Sequence, residues 1–242
     1  MVPAMWALAL TTVLLVAPGL AQQSAKDPDA LYASREHLPN ALEAAGIWDA
    51  RLARDPRDFE AAWKLARASY WLGSHVPADE RRTQYERGIA AAMRAVEIHP
   101  DRPEGHFWMA ADMGAMAESF GLRAGIRYRG PVKRELETVL RLDASYQQGS
   151  ADRALGRWYS RVPRLFGGSK DKAAEHLRRS LAYAPESSAT HYFLAETLLA
   201  MDRHDEARRE AQLVLDVPFH PDWTPEDREF KQKAKALLDK LH

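Results

Sequence analysis

Arg153, Arg157 and Arg161 recur at four-residue spacing, and Arg164 follows them. That spacing puts side chains on one face of a helix. A row of guanidinium groups grips carboxylates in two-pronged fashion, so the chemistry offered is recognition of an anion. In the register predicted below, Arg153 and Arg157 face the same side as Trp71, Phe107 and Tyr192, and Glu196 is the one acid beside Tyr192. Aromatic and arginine side chains carry most of the energy of binding interfaces. The predicted binding set is therefore Arg153, Arg157, Arg161, Trp71, Phe107, Tyr192 and Glu196.

Reactive constellations are missing. There is no cysteine, which removes disulfides, thiolate metal sites and a thiol nucleophile. Glu196 has no second carboxylate with which to form a glycosidase pair. No Gly-x-Ser-x-Gly elbow occurs. Phe166-Gly167-Gly168-Ser169-Lys170 lacks the glycine-to-lysine spacing of a phosphate loop, and no strand precedes it. It reads as a glycine turn followed by a Ser169 helix cap. The nine histidines include no pair four apart with a glutamate between, and His106 and His191 fall at repeat-core positions. The expectation is a binding protein with no catalytic residues, metal or cofactor. Acidic and basic residues balance at 34 each, which argues against a nucleic-acid binder.

The elements that position these residues are helices. Alanine, leucine, arginine and glutamate fill most windows, and period-two alternation is absent. Helix pairs recur. Trp63, Ala66, Arg67 and Tyr70 lead to Gly88, Ala92 and Ala95, closed by Pro100. His106, Met109, Ala110 and Met113 lead to Val132, Leu136 and Val139. Leu155, Gly156 and Tyr159 lead to Ala173, Leu177 and Ser180, closed by Pro185. His191, Leu194, Ala195 and Leu198 lead to Ala207, Ala211 and Val214. Ala44, Trp48 and Pro56 mark a partial leading unit.

Small residues let paired helices approach closely, and bulky ones fill the gap to the next pair. The predicted fold is all-α: a right-handed, tetratricopeptide-like solenoid of helical hairpins, with four full repeats and a partial leading one. A C-terminal capping helix completes it. Thr224 is read as its N-cap, and Phe230, Ala234, Leu237, Leu238 and Leu241 as its apolar stripe. Two insertions, Gly73–Thr83 and Ser119–Gly130, are expected to lengthen inter-helix loops. The second carries Phe120, Arg123, Arg127, Tyr128 and Arg129, a mixture suited to an acidic protein partner.

Met5 to Ala17 is a short apolar run broken by Pro18 and Gly19. Gly19-Leu20-Ala21 provides small residues for a cut after Ala21. Residues 1–21 are expected to be a cleavable signal peptide, 22–27 a linker and 28–242 the repeat domain. The mature chain is expected to be periplasmic or secreted, with no membrane span.

Gly156-Arg157-Trp158-Tyr159, Val162-Pro163-Arg164-Leu165-Phe166-Gly167-Gly168-Ser169, Lys172-Ala173 and His176-Leu177 together resemble the T-component of TRAP transporters. With Trp63-Lys64-Leu65-Ala66-Arg67-Ala68, the layout is also similar to the regulator of microtubule dynamics family. The resemblance runs from about Phe59 to Asp216. The T-component likeness implies a periplasmic tetratricopeptide-like protein that works with a solute-binding protein for small organic ligands. T-components are commonly lipoproteins; this chain has no cysteine to carry the lipid. The leading expectation is a non-enzymatic scaffold that lays a protein or extended peptide along a concave groove. The alternative is a periplasmic carrier, associated with a TRAP-type transporter, whose groove closes around an organic acid or apolar metabolite.

Overall fold

The computed structural model describes residues 26–241. The expected signal peptide, and most of the expected linker, lie outside the described residues. Eleven α-helices and one 3-10 turn follow one another, and no strand occurs among the described residues.

The leading unit is α1 (Pro28–Ala33) and α2 (Leu38–Arg54). Four hairpins follow: α3 (Phe59–His75) with α4 (Arg81–Ile98), α5 (Pro103–Ser119) with α6 (Gly121–Leu142), α7 (Tyr146–Arg161) with α8 (Lys170–Tyr183), and α9 (Ser188–Leu199) with α10 (His204–Asp216). The final helix, α11 (Thr224–Asp239), buries Ala234 and packs Leu237 beside Ala195 and Ala211. This is the predicted tetratricopeptide-like array.

Local chemistry sets the helix ends. Asp58 and Ser187 accept from main-chain N–H groups three residues on, as N-caps do. Ser169 caps α8 through the N–H of Lys172, and Gly167 makes the preceding turn at φ +98°. Small residues lie at the crossings: Ala66, Ala92, Ala173, Ala195, Ala207 and Ala211 are fully buried. Gly156 sits where α7 meets α8, so close that a Cβ would collide with Leu177.

Three expectations need correction. Ser119–Gly130 is not a loop. Gly121, at φ +76°, turns the chain in one step, and residues 121–130 form the first half of the 22-residue α6. Leu122, Arg123 and Ala124 are good helix formers, and the helix runs on through Pro131 despite the lost N–H bond and the crowding of its ring against the preceding turn. The Gly73–Thr83 insertion shrinks to residues 76–80, because α3 continues to His75. Thr224 does not cap α11: its hydroxyl donates to the His220 carbonyl, and Trp223 is the N-cap.

The ends of the array meet. Arg35, just after α1, donates to both Glu226 oxygens, at 3.1 and 2.5 Å, and to the Asp222 carbonyl at 2.7 Å. Arg228 pairs with Glu36, and His75 of α3 with Glu229 at 2.8 Å. Helix α11 therefore docks on the last repeat with its C-terminal half and on the first units with its N-terminal half.

Candidate functional site

The first helices of the hairpins, α3, α5, α7 and α9, line a concave trough with α11 along one rim. The space it bounds is about 1640 Å³. All seven predicted residues border it: Trp71, Phe107, Arg153, Arg157, Arg161, Tyr192 and Glu196.

Their environments differ from one another. Trp71 and Phe107 are core residues, with only 6% and 7% of their surface exposed, and show just an edge to the trough. Trp71 donates its indole N–H to the Arg35 carbonyl at 3.2 Å and stacks on His75, ring centroids 3.6 Å apart. Phe107 lies edge-on to Trp108 and Tyr146. Tyr70, read from sequence as core, is instead 38% exposed beside Trp108 on the trough wall. Neighbouring helix positions differ by about 100°, so Tyr70 and Trp71 exchange roles on a rotation smaller than the pattern resolves. Tyr192 is half-buried and meets Phe230 of α11 at 5.6 Å. Phe230 thus joins the wall rather than only the capping seam; it also packs edge-on against Phe193.

The three arginines divide sharply. Arg157 is held from both sides. Its Nε and Nη2 donate to Glu118 of α5 at 3.0 and 2.9 Å, and its Nη1 donates to Glu196 of α9 at 2.8 Å. Its guanidinium also lies over the Phe193 ring at 4.6 Å. Arg161 reaches the other Glu196 oxygen at 3.6 Å. Glu196, read as an isolated groove acid, is therefore the clasp between two arginines. Glu118 was not singled out from sequence; its spacing of 39 residues from Arg157, equal to that of Arg157 from Glu196, was the available signal.

Arg153 is half-buried and has no hydrogen-bond or ion-pair partner among the described residues. Burial lowers its pKa, and only the nearby Tyr70 pulls the other way. An arginine still keeps its charge at any physiological pH. The trough is therefore an aromatic-walled chamber in which Arg153, like Arg129 on the α6 side, has no carboxylate partner among the described residues.

The histidines serve the frame. His106 meets Glu135 through Nδ1 at 2.6 Å and the Pro100 carbonyl through Nε2 at 2.9 Å. His191 repeats this with Glu210 and the Pro185 carbonyl, both at 2.7 Å. Each ties the first helix of a repeat to its second helix and to the proline before it. Among the described residues no three metal-ligating side chains converge.

Comparison with known proteins agrees with this architecture. The family model described as regulator of microtubule dynamics protein 1-3 matches residues 28–166, and that of the TRAP transporter T-component matches residues 104–242. A thermophilic TPR protein of Thermus thermophilus is 22% identical with a TM-score of 0.66, covering 87% of this chain and 97% of its own. MamA is 16% identical with a TM-score of 0.50, over 83% of this chain and 95% of MamA. Human IFIT1, solved as a dimer with m7Gppp-AAAA, is 17% identical with a TM-score of 0.57, over 89% of this chain and 46% of IFIT1. Identities this low speak to the fold alone. No curated protein sequence matches the chain. Each family model spans more than half of the 242 residues, so the chain belongs to the regulator of microtubule dynamics and TRAP transporter T-component families, whose models overlap here within one array of tetratricopeptide-like helix pairs.

Proposed function

We propose that this chain is an exported, non-enzymatic binding protein that holds a small amphipathic molecule in its concave chamber and presents it to a partner protein. The observation that carries the reading is the tie between the two ends of the array that border the trough. Helix α11 is tied to Arg35, Glu36 and His75 at the far end of the array, so the concave face is bounded rather than open along its length. Apolar walls with a few placed polar groups are what small-molecule sites share. Such sites typically enclose roughly 300–1000 Å³, and about 1640 Å³ here leaves room for a long apolar body. Membership of the T-component family supports a periplasmic solute-binding protein as the partner. The short apolar N-terminal run supports export.

A second reading has its own support. Repeat arrays of this type suit protein-interaction scaffolds, and the chamber's volume also suits an extended peptide segment. Mass spectrometry of the protein purified under native conditions, then of material released on unfolding, separates the two. The carrier reading expects a stoichiometric small molecule. A recovered peptide or protein, with no small molecule, would replace it by the scaffold.

A further inference from the structure

Arg153 lacks the partners that its neighbour one turn later possesses. Glu118, Arg157 and Glu196 stand at equal spacing of 39 residues on α5, α7 and α9, and form one layer across the trough. One helical turn earlier, Gly114 of α5, Arg153 of α7 and Tyr192 of α9 stand at the same spacing of 39 residues. Where Arg157 meets two carboxylates, Arg153 meets none. The space on the α5 side is real: a Cβ placed on Gly114 would touch nothing within 4 Å. Gly114, Arg153 and Tyr192 all border the chamber, as do Tyr70 and Phe107.

A half-buried cation without a partner is costly unless something else supplies the counter-charge. The layer next door indicates the chemistry that fits, since Glu118 shows a carboxylate gripping an arginine there by two parallel hydrogen bonds. We infer that Arg153 anchors the carboxylate head of a monoanionic amphiphile, whose apolar body lies along Tyr70, Phe107 and Tyr192. The head occupies the gap that Gly114 leaves open. This rests on the chamber being a small-molecule site, as proposed above.

The test uses paired probes of equal body: decanoate against decanol, and 4-phenylbutyrate against 4-phenylbutanol, with decyl phosphate as a further head group. Trp71, Trp108, Trp158 and Trp223 border the chamber, so tryptophan fluorescence reports its occupancy. At least one acid is expected to bind saturably and about ten-fold or more tighter than its alcohol, as suits a charge-assisted two-pronged contact. Arg153→Gln is expected to remove that preference and leave the alcohol unchanged. Gly114→Glu, which places a carboxylate in the gap, is expected to weaken the acid in the same way. Equal binding of acid and alcohol to the unaltered protein would overturn the anchor, and this comparison holds whether or not either variant folds. Unchanged acid affinity in folded Arg153→Gln would also overturn it, and tighter binding of decyl phosphate than of decanoate would overturn the carboxylate assignment. If no probe of either kind enters, the chamber reading itself falls and the anchor with it.

Discussion

Arg35 and Glu226 lie 191 residues apart in the chain and form a two-pronged ion pair that joins the first unit of the array to its last helix. The arginine side chain is 4% exposed and the glutamate 24%. Arg35 is also ringed by Tyr32 and Trp71, whose ring centres lie 5.1 and 5.2 Å from its guanidinium carbon. A solenoid normally leaves its ends apart, with each repeat touching only its neighbours. Here a charged contact makes the two ends cooperate.

Removing one member of such a pair strands the other. Arg35→Gln is expected to cost about 2–3 kcal/mol, somewhat below the figure for a fully buried pair because Glu226 keeps partial access to water. Urea denaturation checks the magnitude. Hydrogen exchange should show faster opening in the first half of α11 than in α9 and α10. Uniform exchange across all three helices would mean that the pair does not act as a latch.

The histidine clasps predict a pH dependence. Both ring nitrogens of His75, His106 and His191 face oxygen acceptors, an arrangement satisfied fully only by the protonated ring. Burial opposes the charge at His75 and His191, but hydrogen bonds to Glu229 and Glu210, and to main-chain carbonyls, outweigh it and raise both pKa values. At His106 the Glu135 bond is the main cause of the rise. A raised pKa means that the contribution is complete below the unfolded value, about 6.5, and is lost as pH climbs through the folded value. The urea midpoint is therefore expected to fall as pH rises above about 6.5. A His75→Gln, His106→Gln, His191→Gln variant should show a flatter profile over that range.

Asp112 predicts a gain. It is fully buried beside Gly88, and neither carboxylate oxygen has a hydrogen-bond partner among the described residues. Burial alone pushes its pKa well above the usual carboxylate range. The folded protein therefore prefers the neutral acid. Stability is undiminished below the unfolded pKa, about 3.9, and is lost as pH rises toward the folded one. Asp112→Asn removes the titration while keeping the shape. Its melting temperature at neutral pH is expected to exceed that of the unaltered protein, with the difference closing in acid. A variant less stable at every pH would show that the carboxylate has a partner in solution.

Gly156 predicts a loss by crowding. A Cβ there would meet Leu177 Cγ and the Ala173 carbonyl of α8 at less than contact distance. Gly156→Ala gains in helix propensity yet must push the two helices apart, for a net cost of about 1–3 kcal/mol. Thermal unfolding reads this directly, and an unchanged midpoint would show that the α7–α8 seam can yield.

Much of this protein is written in local pattern. Small residues at a fixed offset from Pro100 and Pro185 specify close helix crossings, and Ser169 and Gly167 specify a stop and a start. Each of these acts within a turn or two of chain, so each is legible without a structure. The shared face of Arg153, Arg157 and Arg161 is legible for the same reason. Three matters were settled only by the tertiary structure. A rotation of one residue on the helix decided that Trp71 is core and Tyr70 wall. The stacking of α5 and α9 on α7 decided which arginine is neutralised, because Glu118 and Glu196 come from other repeats. The accumulated turn of the whole array decided that Arg35 meets Glu226. Small rotations add up from repeat to repeat, and no window of sequence contains their sum.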